Sequence, residues 1–259
     1  MSSIKLSKKI LRAAGRANVT YRLIGEGDRI LVGLSGGKDS LTLVHLLKHM
    51  QRHAPFSFTF QAVTVSYGMP GERYDALAEH CERHGIPHEI YETNIFEIAE
   101  ETIRENSSFC SYFSRMRRGA LYTKAKEGGY NKVALGHHLD DAAESFFMSM
   151  LYNGALRSMP PIYRSDKGFW VIRPLIWVRE RQTRAFVEEN NIAAIGDEAC
   201  PAMMKKVKLP HARERTKAML EAWEREQPDL FKQLKASMMH LHPNAFMDPR
   251  YLDNRAVEA

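Results

Sequence analysis

The sequence has little cysteine and no long hydrophobic run. Its 259 residues include three cysteines, Cys81, Cys110 and Cys200, which are too few and too scattered for a disulfide framework. No stretch approaches the roughly 20 apolar residues that a membrane-spanning helix needs. The N-terminal residues are basic but lack the continuous apolar segment of a signal peptide, and they are more typical of a short amphipathic helix. These absences predict a cytoplasmic protein without a membrane partner.

Acidic residues are in deficit as well. The chain carries 37 Lys and Arg against 31 Asp and Glu, which gives a formal net charge of +6. The positive charge is concentrated in residues 5–16, 115–118 and 205–217. Such clusters are typical of nucleic-acid binding, although basic runs also occur on solvated helix faces. Charge alone leaves both interpretations open.

Apolar runs alternate along the chain with helical patterns. Strands are predicted at residues 29–34, Phe56–Val65, Pro87–Thr93, Lys132–His138 and Phe169–Leu175, and helices at Leu41–His53, Glu72–His84, Ser114–Glu127 and Asp140–Tyr152. This order predicts an α/β fold with a Rossmann-like parallel sheet between helices and ligands at the carboxyl ends of the strands. We expect a basic N-terminal helix in residues 1–28, a central α/β domain in 29–178 and a mainly helical C-terminal extension in 179–259.

The segment "RILVGLSGGKDSLTL", residues 29–43, combines an apolar strand, a glycine turn and the start of an amphipathic helix. Such a turn offers backbone N–H groups and the positive end of a helix dipole to phosphate. It is not a Walker loop, because Val32 stands where that motif needs glycine and Asp39 follows Lys38 where it needs Ser or Thr.

The carboxylate in this turn indicates chemistry at the α-phosphate of ATP. If the backbone amides and Lys38 hold the β- and γ-phosphates, the α-phosphate stays open to attack and pyrophosphate leaves in a stabilised form. Asp39 could then hold Mg²⁺ or orient Lys38. A glycine turn without function would not account for Ser-Gly-Gly-Lys-Asp-Ser directly after a strand.

Together with "ALGHHLDDAAESFFMSMLYNGALRSMPP", residues 134–161, this loop resembles the PP-loop ATP pyrophosphatases. "SRMRRGALY" and "VIRPL" add a resemblance to the tRNA 2-thiocytidine synthetase group of that family, from about Ile30 to the helix after Cys200. The resemblance implies a Rossmann-like domain that adenylates a tRNA base and then delivers sulfur. It assigns the pyrophosphate loop to Ser35, Gly36, Gly37, Lys38, Asp39 and Ser40, and the opposite wall of the ATP site to Gly136, His137 and Asp141.

Three carboxylates are candidates for Mg²⁺, namely Asp39, Asp140 and Asp141. One of the last two can instead cap the following helix. His137 and His138 can contact phosphate or ribose, but histidines at strand ends are as often structural.

The chain departs from the family pattern at its cysteines. The family carries two Cys-x-x-Cys pairs that hold an iron–sulfur cluster, whereas here Phe113 and Met203 replace the second cysteine of each pair. Cys110 and Cys200 remain, and clusters are usually held by four thiolates. Cys81 lies in a helix-like stretch and is expected to be a small buried residue. A standard cluster is therefore not expected, although Cys110 and Cys200 stay candidates for a partial one.

Two interpretations of Cys110 and Cys200 remain. They can form a persulfide-carrying and resolving pair, in which Arg115, Arg117 and Arg118 would favour the thiolate. Alternatively they are remnants in an enzyme that adenylates its substrate without inserting sulfur.

The leading hypothesis is an ATP- and Mg²⁺-dependent tRNA thiolase of the 2-thiocytidine type. Its expected catalytic residues are Lys38, Asp39, Cys110 and Cys200, and its sulfur donor is a persulfide or sulfide. The tRNA contacts are expected from Arg115, Arg117, Arg118, Lys205, Lys206 and Lys208. The alternatives are a lysidine-synthetase-like enzyme, which shares the loop and needs no cysteine, and a non-catalytic ATP-binding module. The resemblance also favours a homodimer, although no segment of the sequence indicates an interface.

Overall fold

A computed structural model describes residues 4–102, 109–193 and 211–251. Cys200, Lys205, Lys206 and Lys208 lie outside these residues, as does the side chain of Cys110. The helices α1 to α9 span Lys8–Tyr21, Lys38–His53, Asp75–Arg83, Ile95–Thr102, Phe109–Glu127, Leu139–Asn153, Glu180–Glu189, His211–Glu226 and Leu230–Met239, followed by a 3₁₀ turn at Pro243–Ala245. The strands β1 to β6 span Asp28–Gly33, Phe58–Val65, His88–Tyr91, Lys132–Ala134, Ile162–Arg164 and Trp170–Ile172. None of the described helices is long and apolar enough to cross a bilayer.

The strands form one sheet in the order β3-β2-β1-β4-β6-β5. All neighbouring pairs are parallel except β5, which runs antiparallel to β6 at the edge. The α/β prediction is therefore confirmed. From β1 the chain moves to β2 on one side, and it later returns to place β4 on the other side. This reversal of direction leaves a crevice at the carboxyl ends of β1 and β4, where ligands bind in open α/β sheets.

Helices cover both faces of the sheet. Along β1, the fully buried Ile30 and Val32 pack on one side with α1, α2 and α7, whereas Leu31 packs on the other side with α5. A strand buried on both faces reads as a continuous apolar run, which is what the sequence shows. A third apolar cluster joins α6 to α8 and α9 through Leu139, Leu220 and Phe231, among others.

The terminal helices pack directly on the central sheet domain. Ile10, Ala14 and Ala17 of α1 are buried, and so are Phe186 and Val187 of α7. The proposed boundaries after residues 28 and 178 remain a prediction, but the segments on either side share one hydrophobic core.

Candidate active site

The loop between β1 and α2 forms one wall of the site. Gly36 has φ +84°, a left-handed conformation that strains residues with a Cβ. Helix α2 then begins at Lys38, so the N–H groups of its first turn have no acceptor within the helix. The hydroxyl of Ser40 accepts from the N–H of Ser35 at 3.2 Å and donates to the carbonyl of Gly37 at 2.9 Å. This side chain holds the turn closed and leaves its amides facing the crevice.

The segment after β4 forms the opposite wall. A Cβ on Gly136 would lie 3.2 Å from both the carbonyl carbon of Asp39 and the nitrogen of Ser40, so this position needs glycine for the two walls to approach. His138 caps α6 by accepting from the N–H of Asp141, and the Asp141 carboxylate accepts in return from the N–H of His138 at 3.0 Å. His138 is thus the N-cap residue of α6. Of the two aspartates that the sequence offered for capping, Asp141 is the one that takes part, through this reciprocal hydrogen bond.

A cavity of about 380 Å³ lies between these walls. Ser35, Gly37, Asp39 and Ser40 line it from the first wall, and Gly136, His137 and Asp141 line it from the second. Further polar lining comes from Tyr74, the residue before α3, from Arg117 of α5 and from Arg213 of α8. The structure thus brings most of the predicted ATP-site residues together around one space.

Asp39 is held ionised by a group of donors. Its carboxylate accepts from Lys38 Nζ at 3.1 Å and from Thr183 Oγ1 at 2.5 Å, and the His138 ring lies 3.7 Å away. Burial alone would raise the pKa of Asp39, but His138, Thr183 and Lys38 outweigh it and lower that pKa to about 2. The carboxylate therefore carries a full negative charge at neutral pH.

Lys38 forms ion pairs both with Asp39, the residue next to it, and with a glutamate of the C-terminal helices. Its Nζ lies 3.2 Å from the Glu180 carboxylate of α7, which also accepts from Lys217 of α8 at 2.7 Å. Burial would raise the pKa of Glu180, but Lys217 and Lys38 lower it to about 2. Burial would likewise lower the pKa of Lys38, but Asp39 and Glu180 raise it. The ammonium group keeps its charge and lies between Glu180 and Asp39, the second of which lines the cavity. Lys38 itself and Gly36 are not among the residues that line it.

The three candidate Mg²⁺ ligands do not occupy equivalent places. Asp39 and Asp141 line the cavity, whereas Asp140 does not. Asp140 instead pairs with Arg179 at 3.0 Å and accepts from the N–H of Glu180 at 2.7 Å.

The described residues contain no group of three or more His, Cys, Asp or Glu side chains arranged to hold a metal ion. Mg²⁺ usually takes one or two protein carboxylates together with substrate phosphates and water. Asp39 and Asp141 therefore fit a magnesium ion that arrives with the nucleotide.

The cysteine positions do not supply a four-thiolate set. Cys81 is 1% exposed on α3 in the hydrophobic core, and burial raises its pKa to about 11. Phe113, one of the two residues that replace a family cysteine, is 1% exposed and packs edge-on against Tyr67 with ring centres 5.6 Å apart. Only Cys110 and Cys200 are left as thiolate candidates in a chain of three cysteines.

The predicted RNA-contacting arginines differ in position. Arg117 is half-buried and lines the cavity, Arg118 is exposed beside an adjoining pocket, and Arg115 is exposed. Arg117 and Arg118 therefore place positive charge at the cavity and beside it, whereas Arg115 lines neither space. The three lysines proposed for the same role lie outside the described residues.

Sequence reasoning missed several side chains at the site. Arg213 donates to Asp141 and, at 2.8 Å, to Glu144, so α8 places a guanidinium in the cavity. Its position within a basic run gave a partial signal. Glu180 and Thr183 gave none, since nothing in the local pattern shows that α7 packs against the loop.

Comparisons with known proteins agree with this geometry. A family model described as a PP-loop domain matches residues 8–203. The chain is 40% identical to the tRNA-cytidine(32) 2-sulfurtransferase of Geobacter metallireducens over 94% of each chain. It is 37% identical to the protein of that name from Alcanivorax borkumensis over 98% of this chain and 88% of that one.

A solved structure shares the fold. The U34-tRNA thiolase NcsA from Methanococcus maripaludis, described with its [4Fe-4S] cluster, superposes with a TM-score of 0.68 at 21% identity. The match covers 93% of this chain and 89% of that protein. Because the loop, the cavity and the relatives over nearly the full length agree, the chain belongs to the PP-loop ATP pyrophosphatase family, in its tRNA-cytidine(32) 2-sulfurtransferase group.

Proposed function

We propose that this protein is an ATP-dependent tRNA sulfurtransferase that replaces the 2-oxo group of cytidine 32 with sulfur. The observation that carries the proposal is the cavity between the Ser35–Ser40 loop and the Gly136–Asp141 segment, in a chain whose relatives bear that name. The relatives name the nucleotide, which the sequence alone left open.

The first half-reaction is adenylation of the base. The loop amides and Lys38 hold the two outer phosphates, so the oxygen on C2 of the cytosine can attack the α-phosphorus. A new O–P bond forms, the bond between the α-phosphorus and the bridging oxygen breaks, and pyrophosphate leaves. Arg213 lines the cavity and Lys38 is paired with Asp39, which also lines it, so both can neutralise the charge that develops on the leaving group. The poor leaving group on C2 becomes AMP, a good one.

Magnesium fits this step through Asp39 and Asp141. When bound, the ion would neutralise phosphate oxygens and lower the barrier to attack. Thr183 and His138 keep Asp39 ionised and oriented toward the cavity. Asp140 instead forms an ion pair with Arg179, the residue before α7, and so helps to join α6 to α7.

The second half-reaction delivers sulfur. A sulfide or persulfide sulfur attacks C2, a C–S bond forms, and the C–O bond to AMP breaks. If the sulfur comes from a persulfide on one cysteine, its outer sulfur stays joined to that cysteine after it bonds to C2. The thiolate of the other cysteine then attacks the first cysteine's sulfur, the S–S bond to the transferred sulfur breaks, and 2-thiocytidine is released. The disulfide left between the two cysteines must be reduced by an external thiol. Cys110 and Cys200 are proposed for these roles, and no step is derived through an iron–sulfur cluster because the chain does not supply its usual four thiolates.

The decisive experiment measures products from ATP and tRNA. We expect AMP and pyrophosphate, and 2-thiocytidine at position 32 when a sulfur donor is present. Lys38→Ala should reduce pyrophosphate release by roughly 10²- to 10³-fold, since it removes a preorganised charge from the leaving group.

Lys48→Ala is the matched control, because Lys48 lies further along α2 and contacts the Gly85 carbonyl away from the cavity. ADP and orthophosphate as products, or an active Lys38→Ala enzyme that still melts like the parent, would refute the assignment.

Two further expectations extend this function. The few scattered cysteines and a tRNA substrate support a cytoplasmic location. The homodimer that the family resemblance favours is testable by light scattering of the purified protein.

A further inference from the structure

Arg173, just after β6, is a buried cation that has no acidic partner among the described residues. Its side chain is 7% exposed, and its guanidinium lies 5.2 Å from the ring centre of Tyr163. It donates to the Pro160 carbonyl at 2.5 Å and to Nδ1 of His137 at 3.2 Å. In the part of the chain that the structure describes, no carboxylate comes within 4.0 Å of it. Buried charges in proteins are normally paired, so an unpaired one next to a reaction site indicates an anionic ligand.

The contact with Arg173 also decides the protonation of His137. An arginine side chain has only donors, so Nδ1 of His137 must accept, and a neutral ring then carries its proton on Nε2. Burial and then Arg173 lower the pKa of His137 to about 4, Asp141 acts in the opposite direction, and Arg118 and Arg213 add to the lowering. At neutral pH His137 is therefore an uncharged donor through Nε2.

A second pocket adjoins the nucleotide cavity at this histidine. It measures about 340 Å³, and His137 lines both spaces. Arg118 and Arg173 give it two positive charges, Tyr163 gives it an aromatic ring, and none of the described residues that line it is acidic. Tyr122 steadies the aromatic wall through a 2.9 Å hydrogen bond between the two tyrosine hydroxyls. Cationic groups and a half-buried aromatic ring suit a single nucleotide taken out of its stack.

We propose that this side pocket receives the acceptor nucleotide of the RNA, and that Arg173 is a positioning residue that holds His137 as an Nε2–H donor at the boundary between the two reactants. The inference rests on the proposed function, because it takes the first cavity to hold ATP. It adds where the acceptor enters and which side chains select it. His137 would then donate to an oxygen at the junction of base and α-phosphate, where charge shifts during adenylation.

The first test separates acceptor binding from ATP binding. In Arg173→Met we expect kcat/KM for tRNA in pyrophosphate release to fall about 10- to 100-fold, as for loss of a charged hydrogen-bonding group. The dissociation constant for ATP without tRNA should stay within about twofold of the parent value. Arg164→Met is the matched control, since Arg164 is an exposed arginine on the neighbouring strand β5 that lines neither space.

The second test concerns His137 and does not depend on the folding of an Arg173 variant. His137→Gln can place a donor near the position of Nε2 and should keep most of the activity, whereas His137→Asn is too short and should lose it. Nitrogen NMR of histidine-labelled protein, assigned by the signals missing from His137→Gln, should show the Nε2–H tautomer in the parent.

The outcomes are distinguishable. Three results would each overturn the inference while leaving the proposed function intact. The first is that Arg173→Met loses ATP affinity and tRNA turnover equally. The others are equal activity of His137→Gln and His137→Asn, and the Nδ1–H tautomer in the parent. Failure of the parent enzyme to release pyrophosphate with tRNA would instead remove the proposed function itself.

Discussion

Asp39 distinguishes this loop from a Walker loop, and its contacts explain how a carboxylate can stand among phosphate-binding groups. Lys38, Thr183 and His138 surround it and keep its pKa at about 2, so the aspartate is a fixed negative charge beside a fixed positive one. In the proposed function, the pair supplies an ordered ammonium for the leaving pyrophosphate and a carboxylate for a magnesium ion. Both residues could be identified from the sequence because they belong to one short motif.

The rest of the network could not be read from local patterns. Thr183 reaches Asp39 across 144 residues of sequence, and Arg213 reaches Asp141 across 72. Arg173 stands in the motif "VIRPL", but only the fold, which places β6 beside β4, shows that no described acidic residue pairs with it. Tertiary packing, not residue type, gives these side chains their roles.

Cys110 and Cys200 offer a test that separates the two half-reactions. Cys110→Ser and Cys200→Ser should each abolish 2-thiocytidine formation while pyrophosphate release on adding tRNA and ATP continues, because adenylation uses the loop and not a thiol. Cys81→Ser is the control, since Cys81 is buried in the core away from the cavity. Both products would be measured in the same reaction, by mass spectrometry of nucleosides and by a coupled pyrophosphate assay. Thiolation by the double variant Cys110→Ser/Cys200→Ser would contradict the persulfide interpretation.

At the scale of elements, the strands and helices with a clear apolar pattern were predicted, including the short strands β3, β4 and β6, whereas two short elements were not. Strand β2 and helix α6 lie close to their predicted bounds, because each carries a clear apolar pattern. Strand β5 has three residues and helix α4 eight, and both were missed. Their formation depends on pairing with β6 and packing on α5, which a local pattern does not contain.

The packing of α2 against α3 contains a group of histidines. His45 is 6% exposed, its Nε2 lies 2.8 Å from Nε2 of His80, and the His84 ring centre is 5.3 Å away. Burial and then His80 and His84 lower the pKa of His45 from 6.5 to about 3. The folded protein therefore holds this ring neutral over a range in which the unfolded chain protonates it.

This difference predicts acid sensitivity. Between pH 6.5 and about 3 the unfolded state binds more protons at His45 than the folded state, so stability is full above pH 6.5 and falls as the pH drops. The contribution of His45 alone corresponds to a loss of about 2 kcal/mol between pH 7 and 5.

Urea unfolding of the parent and of His45→Gln at several pH values would measure this contribution of His45 to the free energy of unfolding. The variant should lose less stability on acidification, whereas His242→Gln, which changes an exposed histidine, should behave like the parent. Parallel pH curves for parent and His45→Gln would refute the assignment.

At the scale of the whole molecule, one topological feature organises the site. The reversal of chain direction between β1 and β4 brings the Ser35–Ser40 loop and the Gly136–Asp141 segment to the same edge of the sheet. Helices α7 and α8 then close that edge through Glu180, Lys217 and Arg213. The C-terminal helices are therefore part of the catalytic unit, although the sequence presents them as an extension.

The chain has a formal net charge of +6, which favours binding of a polyanion. Arg117 lines the cavity, and the basic run that includes Lys206 precedes α8, so both are proposed to contact tRNA phosphates. Arg117→Ala and Lys206→Ala should each weaken tRNA binding measured without ATP and reduce the slope of log K against log salt by about 1, because each removes roughly one phosphate contact. Arg83→Ala, which makes the same charge change at the distal end of α3, should leave the slope unchanged. If all three variants share the parent slope, these residues are ordinary surface charges and the RNA lies elsewhere on the protein.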